Sequence, residues 1–268
     1  MKLKPVKQGE RIRLRDGEAA RPEGLPEDEV LKERTQKLVD QLDKLQVALY
    51  AEEKRSLLVV FQARDAGGKD GVVKRVFGPL NPQGTYVQSF KAPTEHELAH
   101  DYLWRVHRFV PQKGYIGIFN RSHYEDLLVP RVNGLVPPKV WRKRFRQIND
   151  WERMLAQNGV TILKFFLHVS RGEQKERLLE RLDDPTKNWK FRPEDLEARA
   201  KWKDYTRAYS DILKRCSTPW APWFVVPADD KRVRDYLVAR RVVRTLRRLN
   251  PQFPAADPEV MAWRDKIR

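Results

Sequence analysis

One cysteine, Cys216, stands in the whole chain. That excludes an intrachain disulfide and a cysteine-built metal cluster, and it leaves the thiol as a small packing residue. No run of about twenty apolar residues is present to cross a bilayer, and the N-terminus lacks the apolar core of a secretory signal. The expected setting is therefore the cytoplasm, away from membranes. Helix-turn-helix, zinc-finger and aromatic RNA-binding signatures are missing, and no internal repeat or low-complexity tract interrupts the chain. No second histidine lies at ligand spacing from His123, so that residue reads as packing rather than as a base or ligand. Acid is in short supply too, with 37 Asp and Glu against 54 Lys and Arg, a net charge of +17.

An excess of that size attracts polyanions. About half of the charges alternate in sign along helices and suit a solvated surface. Without base-edge readers, the remainder fits a row of phosphates better than nucleic acid. At 268 residues one large α/β domain is favoured.

The pattern predicts strands over Ser56–Gln62, Thr85–Phe90, Tyr115–Phe119, Thr161–Val169 and Trp223–Pro227. Helical periodicity covers Pro26–Glu53, Glu95–Arg108, Lys139–Gln157, Arg171–Leu182, Pro193–Arg215 and Asp230–Leu249. Strands alternating with helices predict a five-stranded parallel sheet covered on both faces, with ligands at the carboxyl ends of the strands. The whole of residues 1–268 reads as one domain. It has an extended basic arm over 1–25 that wraps the domain or a neighbour, a lid loop over 183–191 and an irregular tail over 251–268. The leucine stripe of the first helix, Leu31 to Leu49, suits either internal packing or a subunit contact.

The strongest local signal is Ala63-Arg64-Asp65-Ala66-Gly67-Gly68-Lys69-Asp70-Gly71, which follows the apolar first strand. Small residues let backbone N–H groups converge on an anion, the next helix presents its positive end, and Lys69 adds a point charge. The G-x-x-x-x-G-K-[ST] pattern is incomplete, since Ala63 replaces the first glycine and Asp70 the metal-binding hydroxyl. Carboxylates at Asp65 and Asp70 beside phosphates call for a divalent cation between them. A tight strand-to-helix turn facing solvent is the alternative. Lys74 and Arg75, one turn on, and the arginine-rich last helix could line a path for a long polyanion.

That segment resembles, together with Phe119-Asn120-Arg121-Ser122-His123-Tyr124-Glu125-Asp126 and Asp183-Asp184-Pro185-Thr186-Lys187-Asn188-Trp189-Lys190-Phe191, the polyphosphate kinase 2 family. The resemblance implies a three-layer α/β/α P-loop kinase fold with a lid, like that of thymidylate kinase. It implies phosphoryl transfer between inorganic polyphosphate and AMP, ADP or ATP, and guanine nucleotides also, with magnesium or manganese. Carried over by motif position, Ala63, Arg64, Ala66, Gly67, Gly68, Lys69, Asp70, Gly71 and Lys74 would hold phosphates, with Asn120 and Arg121 completing that set. Asp65 would bind metal or orient the acceptor. Asn120 stands where the family often has Asp; followed by Glu125, it resembles the class III subgroup, which phosphorylates both AMP and ADP. Glu125 would then replace the missing carboxylate as a metal ligand. Arg121 would reach phosphate, and Arg177 and Arg181, four apart on one helix, would clamp the transferring group. Asp126 is either catalytic or a helix-start charge. Family resemblance and the leucine stripe together suggest a homo-oligomer. The rival readings are an ATP-dependent nucleotide kinase and a nucleic-acid-binding module.

Overall fold

The computed structural model describes residues 2–267. Its strands are β1 (Ser56–Ala63), β2 (Thr85–Ser89), β3 (Ile116–Asn120), β4 (Val160–His168) and β5 (Trp223–Pro227). All pair in parallel, in the order β2-β3-β1-β4-β5. Each predicted strand is present within one residue at either end; four are apolar runs that the sheet largely buries, and the edge strand β2 is a half-exposed run centred on Tyr86 and Val87.

The helices in chain order are α1 (Asp28–Glu52), α2 (Lys69–Val72, continued as a π-turn over Val73–Phe77), α3 (Glu95–Leu98), α4 (Trp104–His107), α5 (Glu125–Val132), α6 (Pro138–Gln157), α7 (Arg171–Asp183), α8 (Pro193–Ala200), α9 (Trp202–Cys216), α10 (Lys231–Leu249), α11 (Pro258–Ala262) and α12 (Arg264–Ile267). Alternation along the strands divides the core between the two faces. Val59, Phe61 and Phe165 pack with Leu42 and Leu49 of α1 and Leu237 and Val242 of α10. Val60, Ile162 and Phe166 pack with Ile148 of α6 and Ile212 of α9. The result is three layers, α/β/α. The stripe of α1 packs inward on α10, with Leu31, Leu42 and Leu49 fully buried.

Two predicted helices are broken, each for a local reason. Between α3 and α4, Asp101 Oδ1 accepts the backbone N–H groups of Leu103 and Trp104 and restarts the chain. A turn at Lys201 separates α8 from α9. Helix α5 was not predicted, because Pro130 inside it hides the periodicity. Pro130 has no N–H for the carbonyl of Asp126. Arg144 supplies the donor to that carbonyl instead.

The arm wraps its own domain. Leu3, Val6, Leu14 and Ala19 are buried, Val6 N–H donates to Trp223 O at 2.9 Å, and His168 Nε2 donates to Arg15 O at 2.8 Å. The tail is irregular only to Ala256, after which Asp257 caps the first of two short helices. No helix among the described residues is long and apolar enough to cross a membrane.

Candidate active site

Strand β1 is central, flanked by β3 and β4, so the loops after β1 and β3 meet at the carboxyl edge. The β1 loop turns sharply through Ala66 (φ 57°) and Gly68 (φ 90°). Its carbonyls are drawn away from the crevice. Tyr209 OH donates to Ala63 O at 3.1 Å, Gln174 Nε2 to Asp65 O at 3.0 Å, and Arg177 Nη1 to Ala66 O at 3.0 Å. With the carbonyls tied back, the first turn of α2 and the positive end of its dipole face the opening. Lys69 lies beneath the loop with Nζ donating to Ala63 O at 3.3 Å. Burial, helped by Arg121, pulls its pKa below the usual lysine range.

The β3 loop closes on it. Arg121, in the left-handed region (φ 66°), donates its N–H to Phe61 O at 3.1 Å and Nη2 to Asp65 Oδ1 at 3.2 Å. A non-glycine residue held there stores roughly 1–3 kcal/mol of strain, which the surrounding structure must hold in place. Asn120 Nδ2 donates to Asp70 Oδ1 at 2.6 Å, joining the two loops a second time. With its amide nitrogen toward the acid, Gln62 donates to Glu125 Oε1 at 2.8 Å and accepts from Ser122 Oγ at 3.1 Å. Burial pushes the Glu125 carboxyl up, against Arg121 and Lys69. Asp126 turns instead to Arg105 Nη2, 3.1 Å away.

Two cavities adjoin here. One, about 460 Å³, is lined by the cradle, Arg75, Arg181, Lys187, Lys190 and Lys231. The other, about 890 Å³, is mixed in character, with Phe90, Leu128, Val136 and Trp202 beside Arg105 and Asp126. Asp65, Arg121 and Asp195 line both.

The expected residues differ in how they meet the crevice. Arg177 is mostly buried yet lines the cationic cavity, and its Nη2 also donates to Ala228 O at 2.6 Å and Asp229 O at 2.8 Å while Nε pairs with Glu173. It straps the loop to the end of β5. Arg64 turns into the larger cavity, stacked on Trp202 at 4.0 Å, and burial lowers its pKa to about 10. Lys74 is exposed and lines neither cavity, whereas Arg75 does. Of the α10 arginines, Arg234 lines the cationic cavity and Arg240 to Arg248 line neither. Arg181 donates to Lys190 O at 3.2 Å and pairs with Asp195 at 3.1 Å, holding the lid loop at the mouth, with Trp189 76% exposed.

Sequence reading missed Arg234, which is 1% exposed and paired with Asp235 at 2.8 Å against Gly68. It sits among six other arginines of α10, and nothing in that run sets it apart. Gln62, Gln174, Asp195 and Trp202 were missed as well. Only Gln62 carried a signal, a polar residue ending an apolar strand.

The profile of the family described as "Polyphosphate kinase 2 (PPK2)" matches residues 26–254. The chain belongs to the polyphosphate kinase 2 family. The chain is 57% identical over 213 residues, 80% of each chain, to an AMP/ADP-polyphosphate phosphotransferase of Meiothermus ruber. It is 45% identical over 237 residues, 84% of this chain and 81% of the relative, to an ADP-polyphosphate phosphotransferase of Rhodopseudomonas palustris. The crystal structure of polyphosphate kinase 2 from Arthrobacter aurescens TC1 superposes with a TM-score of 0.88, at 38% identity, covering 99% of this chain and 98% of that one.

Proposed function

We propose that the protein transfers a phosphoryl group between inorganic polyphosphate and AMP or ADP, reversibly, as an enzyme of the cytoplasm. The observation that carries this reading is the junction of a cationic cavity and a larger mixed one at Asp65 and Arg121. The cationic side suits a polymer that offers only phosphate oxygens. The mixed side, with an aromatic and aliphatic wall, suits a nucleotide.

In the forward direction an oxygen of the acceptor's terminal phosphate attacks the end phosphorus of the polymer. The P–O–P bond behind it breaks, and the shortened polymer leaves with the bonding electrons. Such transfer needs alignment and charge neutralisation more than covalent help. Lys69 and the loop N–H groups hold the donor phosphates, Arg121 bridges donor and acceptor, and Arg181 closes from the end of α7, where it holds the lid loop. Arg177 keeps the loop in shape and also faces the cationic cavity.

Magnesium takes one or two protein carboxylates and fills its shell with phosphate oxygens and water. Asp65 and Glu125 offer that donor set, and no group of three His, Cys, Asp or Glu side chains suited to a metal ion stands among the described residues. Manganese has similar preferences for carboxylate, phosphate and water oxygen. The ion, when bound, neutralises phosphate oxygens.

The deciding experiment supplies purified protein with AMP or ADP, magnesium and polyphosphate, without ATP, and follows ADP and ATP. Product formation is expected with both acceptors. Product only when ATP replaces polyphosphate would favour an ordinary nucleotide kinase. Glu125→Ala is expected to lower the AMP and ADP activities unequally, by about tenfold or more for the worse substrate. Equal losses would argue against a role in distinguishing the acceptors.

A further inference from the structure

The face of the β3 loop turned away from the crevice rests on a buried ion pair. Lys164, in the middle of β4, is fully buried, as are Glu152 of α6 and His123 of the loop, and Tyr124 beside it is equally enclosed. All three ammonium protons of Lys164 find acceptors: Glu152 Oε2 at 2.6 Å, Tyr124 Oη at 2.7 Å and Cys216 O at 2.7 Å. Tyr124 Oη donates its own hydrogen bond to Glu152 Oε1 at 2.9 Å. His123 Nε2 donates to the same oxygen at 3.2 Å, which leaves Nδ1 bare. Burial lowers the His123 pKa and keeps the ring neutral, while it raises that of Tyr124 and keeps the phenol protonated. Burial opposes ionisation of Glu152, yet Lys164 and His123 hold its carboxyl below the usual range.

A buried ion pair is weak evidence of stabilisation, since well-packed apolar residues of similar volume do as well or better. Here it could be replaced without loss of fold, but not without loss of geometry. The two residues it grips, His123 and Tyr124, immediately precede Glu125, and Tyr124 O accepts the N–H of Leu128 in the first turn of α5. Sequence divides the duties over six positions: Asn120, Arg121 and Glu125 face the crevice, and Ser122, His123 and Tyr124 face the core.

We infer that Glu152 and Lys164 are positioning residues, which act through Tyr124 and His123 to set the Glu125 carboxylate against Gln62. The inference rests on the reading of Glu125 given above. Lys164→Met alone strands a buried charge and is expected to lower Tm by about 10 °C. The double variant Glu152→Gln/Lys164→Met removes both charges and is expected to melt within about 5 °C of the parent. Its kcat is expected to fall about 10- to 100-fold, with KM for nucleotide and polyphosphate unchanged. Tyr124→Phe, which removes one hydroxyl, should show the same split with a smaller loss.

A crystal structure of the double variant is expected to show Glu125 detached from Gln62, a result independent of which substrates the enzyme uses. Parental kcat in a folded double variant or in Tyr124→Phe overturns the inference. So does an undisturbed Glu125–Gln62 contact. Absence of polyphosphate-dependent transfer in the parent protein would count against the proposed function alone, and the structure of the variant would still decide this question.

Discussion

Asp65→Asn is expected to lower the rate of phosphoryl transfer by about 10³-fold at saturating substrate and magnesium. The exchange is nearly isosteric, and Gln174 still donates to the backbone carbonyl of residue 65. Only the charge is lost, at the point where both cavities meet. Asp65 pairs with Arg121, which is two-fifths exposed, so the pair itself contributes under about 1 kcal/mol to stability. Tm should move by only about 2–4 °C. Steady-state kinetics beside a thermal melt separates the two effects. Activity within tenfold of the parent would place the metal and acceptor elsewhere.

Gly68→Ala is expected to damage both fold and activity. The position sits at φ 90°, which L-residues rarely adopt, and the added methyl would collide with Arg234 Nη1. Arg234 cannot easily retreat, being buried and fixed by Asp235, with Arg177 Nη1 3.5 Å from the same methyl. Backbone strain and overpacking together should cost about 3 kcal/mol, or about 6–12 °C in Tm. A displaced cradle misaligns the donor phosphates, and a shift of about 1 Å is enough for a 10²-fold loss. The melt and the polyphosphate-dependent rate are the two measurements. A variant with parental Tm would show that the loop and Arg234 yield to each other.

The five strands and the two facing loops were legible because strand burial and glycine-rich turns leave marks in short windows of sequence. Asp65, Lys69, Arg121 and Glu125 were legible for the same reason, as each lies within a few residues of a strand end. What escaped depends on contacts between distant segments. Arg234 looks like any surface arginine until α10 is laid against the cradle. Arg177 lines the cationic cavity, but the carbonyls it also straps, those of Ala66, Ala228 and Asp229, come from distant segments that helix spacing does not reveal. Lys164 stood in an apolar strand whose partner, Glu152, lies on a different element. Helix α5 was hidden by a proline whose lost hydrogen bond is restored by Arg144, eighteen positions past the carbonyl it serves.

The wrapped arm has a consequence for how the sheet meets other chains. An outer strand with open amides is a template for unwanted pairing between molecules. By donating from Val6 to Trp223, the first residues blunt the β5 margin. A form trimmed to the family-matched span of 26–254 would bare that margin along with the indole beneath it. Such a form invites aggregation that says nothing about catalysis, so activity comparisons belong on the 268-residue chain with its arm.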